Sequence, residues 1–127
     1  MFELTIPLPP SVNNYKRVGR TVTTKSGRKL QYRVNTDETK QFYCDVTNLV
    51  RVKGLKFAFL DEISLEVQLD IYPQSNRSDI DNFIKPTLDS LQHAKVFHND
   101  RQISKLIVEK KEIIIPGMIV VRICPYL

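Results

Sequence analysis

The sequence predicts an α+β fold in a single domain over residues 1–127: a mixed or mostly antiparallel sheet with two helices packed on one face. Three observations carry this prediction. Residues 62–72 alternate without a break, with Ile63, Leu65, Val67, Leu69 and Ile71 on one face and polar residues or Tyr72 on the other. That is the pattern of a long central strand with one face on the core. Two other stretches, after Thr36 and after Ser78, instead repeat apolar residues at helical spacing. The remaining apolar runs are short, alternating and bounded by Pro or Gly, as strands and turns are.

Taken in order, Phe2, Leu4, Ile6 and Leu8 alternate with Glu3, Thr5 and Pro7, so the chain opens with a strand buried on one face, and Pro9-Pro10 ends it. Residues 11–20 form a polar, basic loop. There Asn13, Asn14, Lys16, Arg17 and Arg20 suit phosphate oxygens, and Tyr15 suits stacking on a sugar or base. Residues 21–24 and 30–34 flank Lys25-Ser26-Gly27-Arg28 and predict a hairpin with a basic tip. Asn35 or Thr36 caps a first helix, with Asp37 and Glu38 where the helix dipole favours acids. Phe42, Val46, Leu49 and Val50 form its packing face, and Gly54 stops it.

After the central strand, Pro73 and the segment 74–78, which includes Arg77, deliver the chain to a second helix at about 80–94, with Ser78 as its cap. Ile80, Phe83, Ile84, Leu88 and Leu91 fall on one side of it; Asp81, Lys85 and Asp89 fall opposite as an i, i+4, i+8 series. Pro86 requires either irregular first turns or a kink. His93 and His98 are expected at the surface or as helix caps. An Asn99-Asp100 turn is expected to bring Asp100 back toward Asp79. Residues 103–115 and 118–124, joined through Pro116-Gly117, are expected to close the fold as a hairpin.

Composition excludes several classes. No segment is long and apolar enough for a signal peptide or a membrane span. Cys44 and Cys124 show no metal-ligand spacing and read as buried or half-buried thiols of a cytoplasmic protein. The net charge is +5, and it rises to +9 when Asp79, Asp81, Asp89 and Asp100 are set aside as a local cluster. A basic body around an acidic hole is what a polyanion-binding enzyme with a cationic cofactor needs.

That acidic hole is the densest chemistry in the chain. Asp79 and Asp81 stand one residue apart, Lys85 follows, and Asp100 closes the segment. Neighbouring carboxylates repel unless a cation or protons neutralise them, and Mg²⁺ takes a few such oxygens while keeping several waters. The stretch therefore reads as a metal-dependent active site.

The residues Asp79-x-Asp81-Asn82-x-x-Lys85, with Asp89 and Asp100, resemble the RusA family of Holliday-junction resolvases, largely encoded by phages and prophages. The opening Leu8-Pro9-Pro10-Ser11-Val12-Asn13-Asn14-Tyr15 is similar to that family's Pro-Pro-Ser-x-Asn segment. The chain departs at Asn99, where many members carry Asp. The resemblance implies a homodimer that binds four-way or branched DNA and nicks two opposed strands with Mg²⁺, or Mn²⁺ in its place. It implies that Asp79, Asp81 and Asp100 hold the metal and that Lys85 is the essential lysine. The side chains themselves leave two readings each for the neighbours: Asn82 orients a ligand or caps the helix start, and Asp89 supports the metal ligands from behind or lies on the helix surface. Two other classes compete with this one. A non-catalytic nucleic-acid-binding module would keep all its activity in Asp81→Asn. A sugar-nucleotide transferase would need a nucleotide-binding domain that so short a chain does not offer, and it leaves the basic excess unexplained.

Overall fold

The computed structural model describes residues 2–10, 16–23, 25–59 and 62–127, and follows 16–22 and 29–35 as backbone. In chain order the elements are β1 (Phe2–Pro7), β2 (Lys16–Thr23), β3 (Lys29–Asn35), α1 (Asp37–Val52) and β4 (Leu65–Tyr72). A 3₁₀ turn (Ile80–Phe83), α2 (Ile84–His93), a second 3₁₀ turn (Asp100–Gln102), β5 (Ile103–Lys110) and β6 (Met118–Pro125) complete them. The main sheet has the order β1-β6-β4-β5, with β4 antiparallel to β6 and parallel to β5. This is the mixed sheet with two helices that the sequence predicts.

β4 is central because both its edges are paired and its inward residues are the most apolar run in the chain. Leu65, Val67 and Leu69 are wholly buried. The strand begins at Leu65 and not at residue 62, and Ile63 is 41% exposed. Past Leu65 and its partner Pro125 the pairing with β6 ends on one last bond, from Tyr126 N–H to Ser64 O at 2.8 Å.

The expected closing hairpin is not formed. β5 and β6 lie on opposite edges of β4, and residues 111–117 straddle its end, where the Lys111 amide donates to the Ile71 carbonyl at 2.7 Å. Ile114 N–H likewise donates to Pro73 O at 3.0 Å. Inserting β4 between them gives an apolar strand ladder partners on both sides, which a β5–β6 hairpin would not.

The first helix follows its sequence signals closely. Thr36 caps it, its hydroxyl accepting from Thr39 N–H at 3.2 Å. At the far end Leu55 N–H donates to Val50 O and Gly54 N–H to Arg51 O, with Gly54 at φ +71°, the left-handed termination that glycine favours. Phe42, Val46 and Val50 are buried and Leu49 is partly so.

The second helix resolves the proline differently from a single helix over 80–94. The 3₁₀ turn ends at Phe83 and α2 starts at Ile84, so Pro86 falls in the first α-helical turn, where a missing N–H forfeits least.

The outer sheet face carries an ion network. Arg122 bonds Glu3 at 3.0 Å and also donates to Asp70, whose side chain is 6% exposed. Burial pushes the Asp70 carboxyl up, but hydrogen bonds from Arg122 and Gln68 and the charges of Arg122 and Lys111 outweigh it and hold it below the usual value. Cys44 is exposed, contrary to the buried or half-buried reading, because it lies outside the packing stripe of α1; Cys124 is half-buried. Among the described residues no helix is long and apolar enough to cross a membrane.

Candidate active site

β4 leads, through Pro73 and residues 74–78, to a corner where the chain turns into the 3₁₀ helix. Asp79, not Ser78, is the N-cap, with extended backbone at φ −87° and ψ 137°, and its side chain makes no capping bond. The cap's usual bond to the turn is absent, so the Asp79 carboxylate remains turned outward. Asp81 is exposed one residue into the turn, and no ion pair reaches Asp79 or Asp81 among the described residues. The corner is anchored from behind by Lys110 at the end of β5, whose ammonium donates to Ser78 O.

Beside this corner a cleft of about 700 Å³ opens. Its walls are the exit of β1 through Pro10, the first turns of α1 with Glu38 and Asp45, and the segment carrying Arg77, Ser78 and Asn82. Asn82 thus lines the cleft, whereas Asp79 and Asp81, exposed and set in the chain between its lining residues Ser78 and Asn82, do not line it. Asn13, Asn14 and Tyr15 lie outside the described residues; Pro10, the last described residue before them, lines the cleft. Lys16, Arg17 and Arg20 belong to β2 and not to a loop.

Lys85 sits one helical turn after Asp81, but its ammonium pairs with Asp89 at 3.3 Å. Asp89 is the less exposed partner, at 24% against 68% for the lysine, so it tethers a mobile cation to the helix face. Such a pair contributes at most a few tenths of a kcal/mol to stability.

Asp100 is not brought to Asp79 within the chain, contrary to the expectation from the Asn99-Asp100 turn. Asp100 opens the 3₁₀ turn that precedes β5, and its N–H donates to Gln92 Oε1 at 3.0 Å, near the C-terminal end of α2. Asp79 lies by the last residue of β5 and Asp100 before the first. The eight residues of β5 span about 23 Å at about 3.3 Å per residue. From Asp81 to Gln92 the helix rises about 16 Å at 1.5 Å per residue. The cause is the parallel β4–β5 pairing: a right-handed crossover through α2 must return the chain to the start of β4 before β5 begins. Among the described residues no group of three acids, His or Cys is close enough to hold one metal ion.

What fixes Asp100 is a residue the sequence reading passes over. Gln102 is 8% exposed, its carbonyl accepting from His98 N–H at 2.8 Å and Asn99 N–H at 2.9 Å. Its amide donates to Phe59 O and Ile63 O at 3.3 and 3.2 Å. Asn99 caps the same turn by accepting from Arg101 N–H. This explains why Asn serves at that position, since Asn and Asp cap equally well. The signal is present in the Asn-x-x-Gln spacing of a capping box. Gln102→Ala strands two N–H and two C=O groups and is expected to cost about 2–4 kcal/mol, read as a lowered unfolding midpoint in urea. His93 and His98 are exposed, as expected, and His93 stacks on Tyr43 with ring centroids 4.9 Å apart.

The charge is unevenly shared. Residues 16–35 carry seven cations and no acid, so the rest of the chain is net −2. Within this span Lys16–Thr23 and Lys29–Asn35 form β2 and β3, which pair with each other in a sheet apart from the main one. The basic body expected from composition is therefore a basic hairpin beside a slightly acidic body.

Comparison with known proteins bears on what this arrangement does. A family model described as Endodeoxyribonuclease RusA matches residues 6–123. A crossover junction endodeoxyribonuclease of Enterobacteria phage HK97 is 32% identical over 101 residues, covering 80% of this chain and 75% of the relative. Another, from Shigella sonnei (strain Ss046), is 28% identical over 102 residues, covering 80% and 76%. The match runs from β1 through β6 and takes in the acidic corner, the cleft and the basic hairpin, and the chain belongs to the RusA family of endodeoxyribonucleases.

Proposed function

We propose that this chain is a single-domain cytoplasmic endonuclease that resolves four-way DNA junctions by paired nicks, as a homodimer using Mg²⁺, with Mn²⁺ able to replace it. The observation that carries the reading is the exposed pair Asp79 and Asp81 on the corner whose Ser78 and Asn82 line the cleft, with Lys85 one turn beyond. Two bare carboxylates suit a hard divalent ion, which accepts few protein oxygens and keeps waters. Asp79 and Asp81 would hold that ion, with Asp100 as a third ligand. When bound, the ion supplies charge neutralisation at the scissile phosphate and a more acidic water.

The chain's own residues do the remainder. Lys85, released from Asp89 as a phosphate arrives, sets its ammonium against the charge that builds on the non-bridging oxygens. Asn82 presents its amide from the cleft wall and orients the bound strand. The hairpin grips backbone phosphates without reading bases, as a junction-binding protein requires.

The separation of Asp100 from Asp79 supports the homodimer. One chain holds the two halves of its acid set at opposite ends of β5, so Asp100 completes a site only on a second chain. Two such sites related by a two-fold axis suit two symmetric nicks. The test uses differently tagged Asp81→Asn and Asp100→Asn chains, co-expressed and purified as the mixed dimer, on a labelled four-way junction with Mg²⁺ or EDTA. A shared site leaves one centre wholly wild-type, so the mixed dimer is expected to nick one strand per junction while each homodimer is inactive. An inactive mixed dimer would overturn the shared site. Junction binding with no cleavage even by the unmodified protein would leave a binding module.

A further inference from the structure

We infer that the two copies meet through the free edge of the sheet, β5 pairing antiparallel with β5 of the second copy about a two-fold axis at Ile107. This rests on the homodimer proposed above and gives it a surface. The main sheet has two edges. β1 is blunted, ending at Pro7 with Pro9 and Pro10 beyond. β5 is eight residues without Pro or Gly, and an unblunted edge of that length is a template for another strand.

The side chains of β5 match themselves in one register. Its pairing with β4 puts Leu106 and Val108 on the core face with Val67 and Leu69, and Lys105, Ile107 and Glu109 on the outer face with Glu66, Gln68 and Asp70. In an antiparallel pair, directly opposed residues share a face. With the axis at Ile107, Lys105 opposes the partner's Glu109 and Glu109 opposes the partner's Lys105, so two opposite-charge pairs flank an Ile107 pair. On the core face Leu106, 38% exposed in the single chain, opposes the partner's Val108, and this happens twice. Moving the axis to Leu106 would set Lys105 against Ile107 and leave Glu109 facing Ile103. The strand's free edge is thus complementary to itself in charge and apolarity in the Ile107 register.

The same register assembles the site. Lys110 holds the Asp79 corner through Ser78 O and would oppose the partner's Ser104, four residues after its Asp100. Each Asp100 therefore arrives at the end of the strand pair where Asp79 and Asp81 of the other copy stand. An unrelated dimer surface has no reason to do this.

The test is cysteine cross-linking of the full chain in a Cys44→Ser, Cys124→Ser background. Residues on a two-fold axis of an antiparallel pair lie about 4.5–5.5 Å apart at Cα, within disulfide reach. With oxidised glutathione accepting the two electrons and the thiol protons, Ile107→Cys is expected to form a covalent dimer on a non-reducing gel. Ser104→Cys, about 20 Å from its counterpart at about 3.4 Å per residue, is expected to form none. The double variant Lys105→Cys, Glu109→Cys links the same register through exposed positions and serves if the Ile107 variant misfolds. Absence of both cross-links in a protein that sediments as a dimer would overturn the edge pairing. So would equal cross-linking at Ser104. The mixed-dimer nicking assay is independent of the edge: nicking without cross-links rejects this surface and keeps the shared site, and cross-links without nicking do the reverse.

Discussion

Asp81→Asn is expected to lower junction cleavage by about 10²–10³-fold or more, the scale of losing one preorganised charge at a transition state, while junction affinity stays within about threefold. The separation of the two effects follows from placement. Asp81 is exposed, and no ion pair reaches it among the described residues, so neutralising it breaks no packing and strands no cation. It also removes a negative charge from the path of a polyanion, which if anything favours binding. Cleavage of a labelled junction under single-turnover conditions, beside a gel-shift titration in EDTA, reads both quantities. Equal loss of binding and cleavage would mean that Asp81 shapes the DNA surface, and unchanged cleavage would move the reaction elsewhere.

Neutralising four of the hairpin cations, Lys25, Arg28, Lys29 and Arg33, to Gln is expected to weaken junction binding by about 10²-fold or more near 0.1 M salt. The plot of log affinity against log salt is expected to flatten by up to about 3.6, at about 0.9 for each phosphate the hairpin no longer neutralises. The reason is where the charge lies. Residues 16–35 hold seven cations and no acid, and the remainder of the chain is net −2. Without the hairpin's charge the body would repel DNA at long range. β2 and β3 form no ladder with the main sheet, so the thermal unfolding midpoint of the core is expected to change little. An unchanged salt slope would show that the phosphates are held elsewhere, with Arg77 at the cleft the next residue to test.

Periodicity and capping chemistry are local, and the sequence carries them well. The Thr36 cap, the Gly54 stop, the buried stripe of α1 and the alternation of β4 each depend on neighbours within a few residues. The acidic corner is legible for the same reason, since Asp79, Asp81, Asn82 and Lys85 lie within two helical turns. Even Pro86 announces an irregular start to α2. Partner choice is a different matter. Nothing in residues 103–124 states that β4 will lie between β5 and β6, because a hairpin and a straddling connection share the same alternation and the same Pro-Gly signal. The decision comes from the apolar face of β4, which needs ladders on both edges.

That topological choice sets the fate of the expected site. Parallel pairing of β4 with β5 sends the chain back along α2 and leaves Asp100 a strand's length from Asp79, where a turn would have joined them. The residues that hold Asp100 are likewise long-range, since Gln102 bonds carbonyls of Phe59 and Ile63 some forty positions earlier. Which residues are candidates for the chemistry is legible in the chain, because charge, capping and periodicity are properties of short segments. Which of them one chain can bring together emerges from the fold alone, because strand order is settled by burial across the whole sheet.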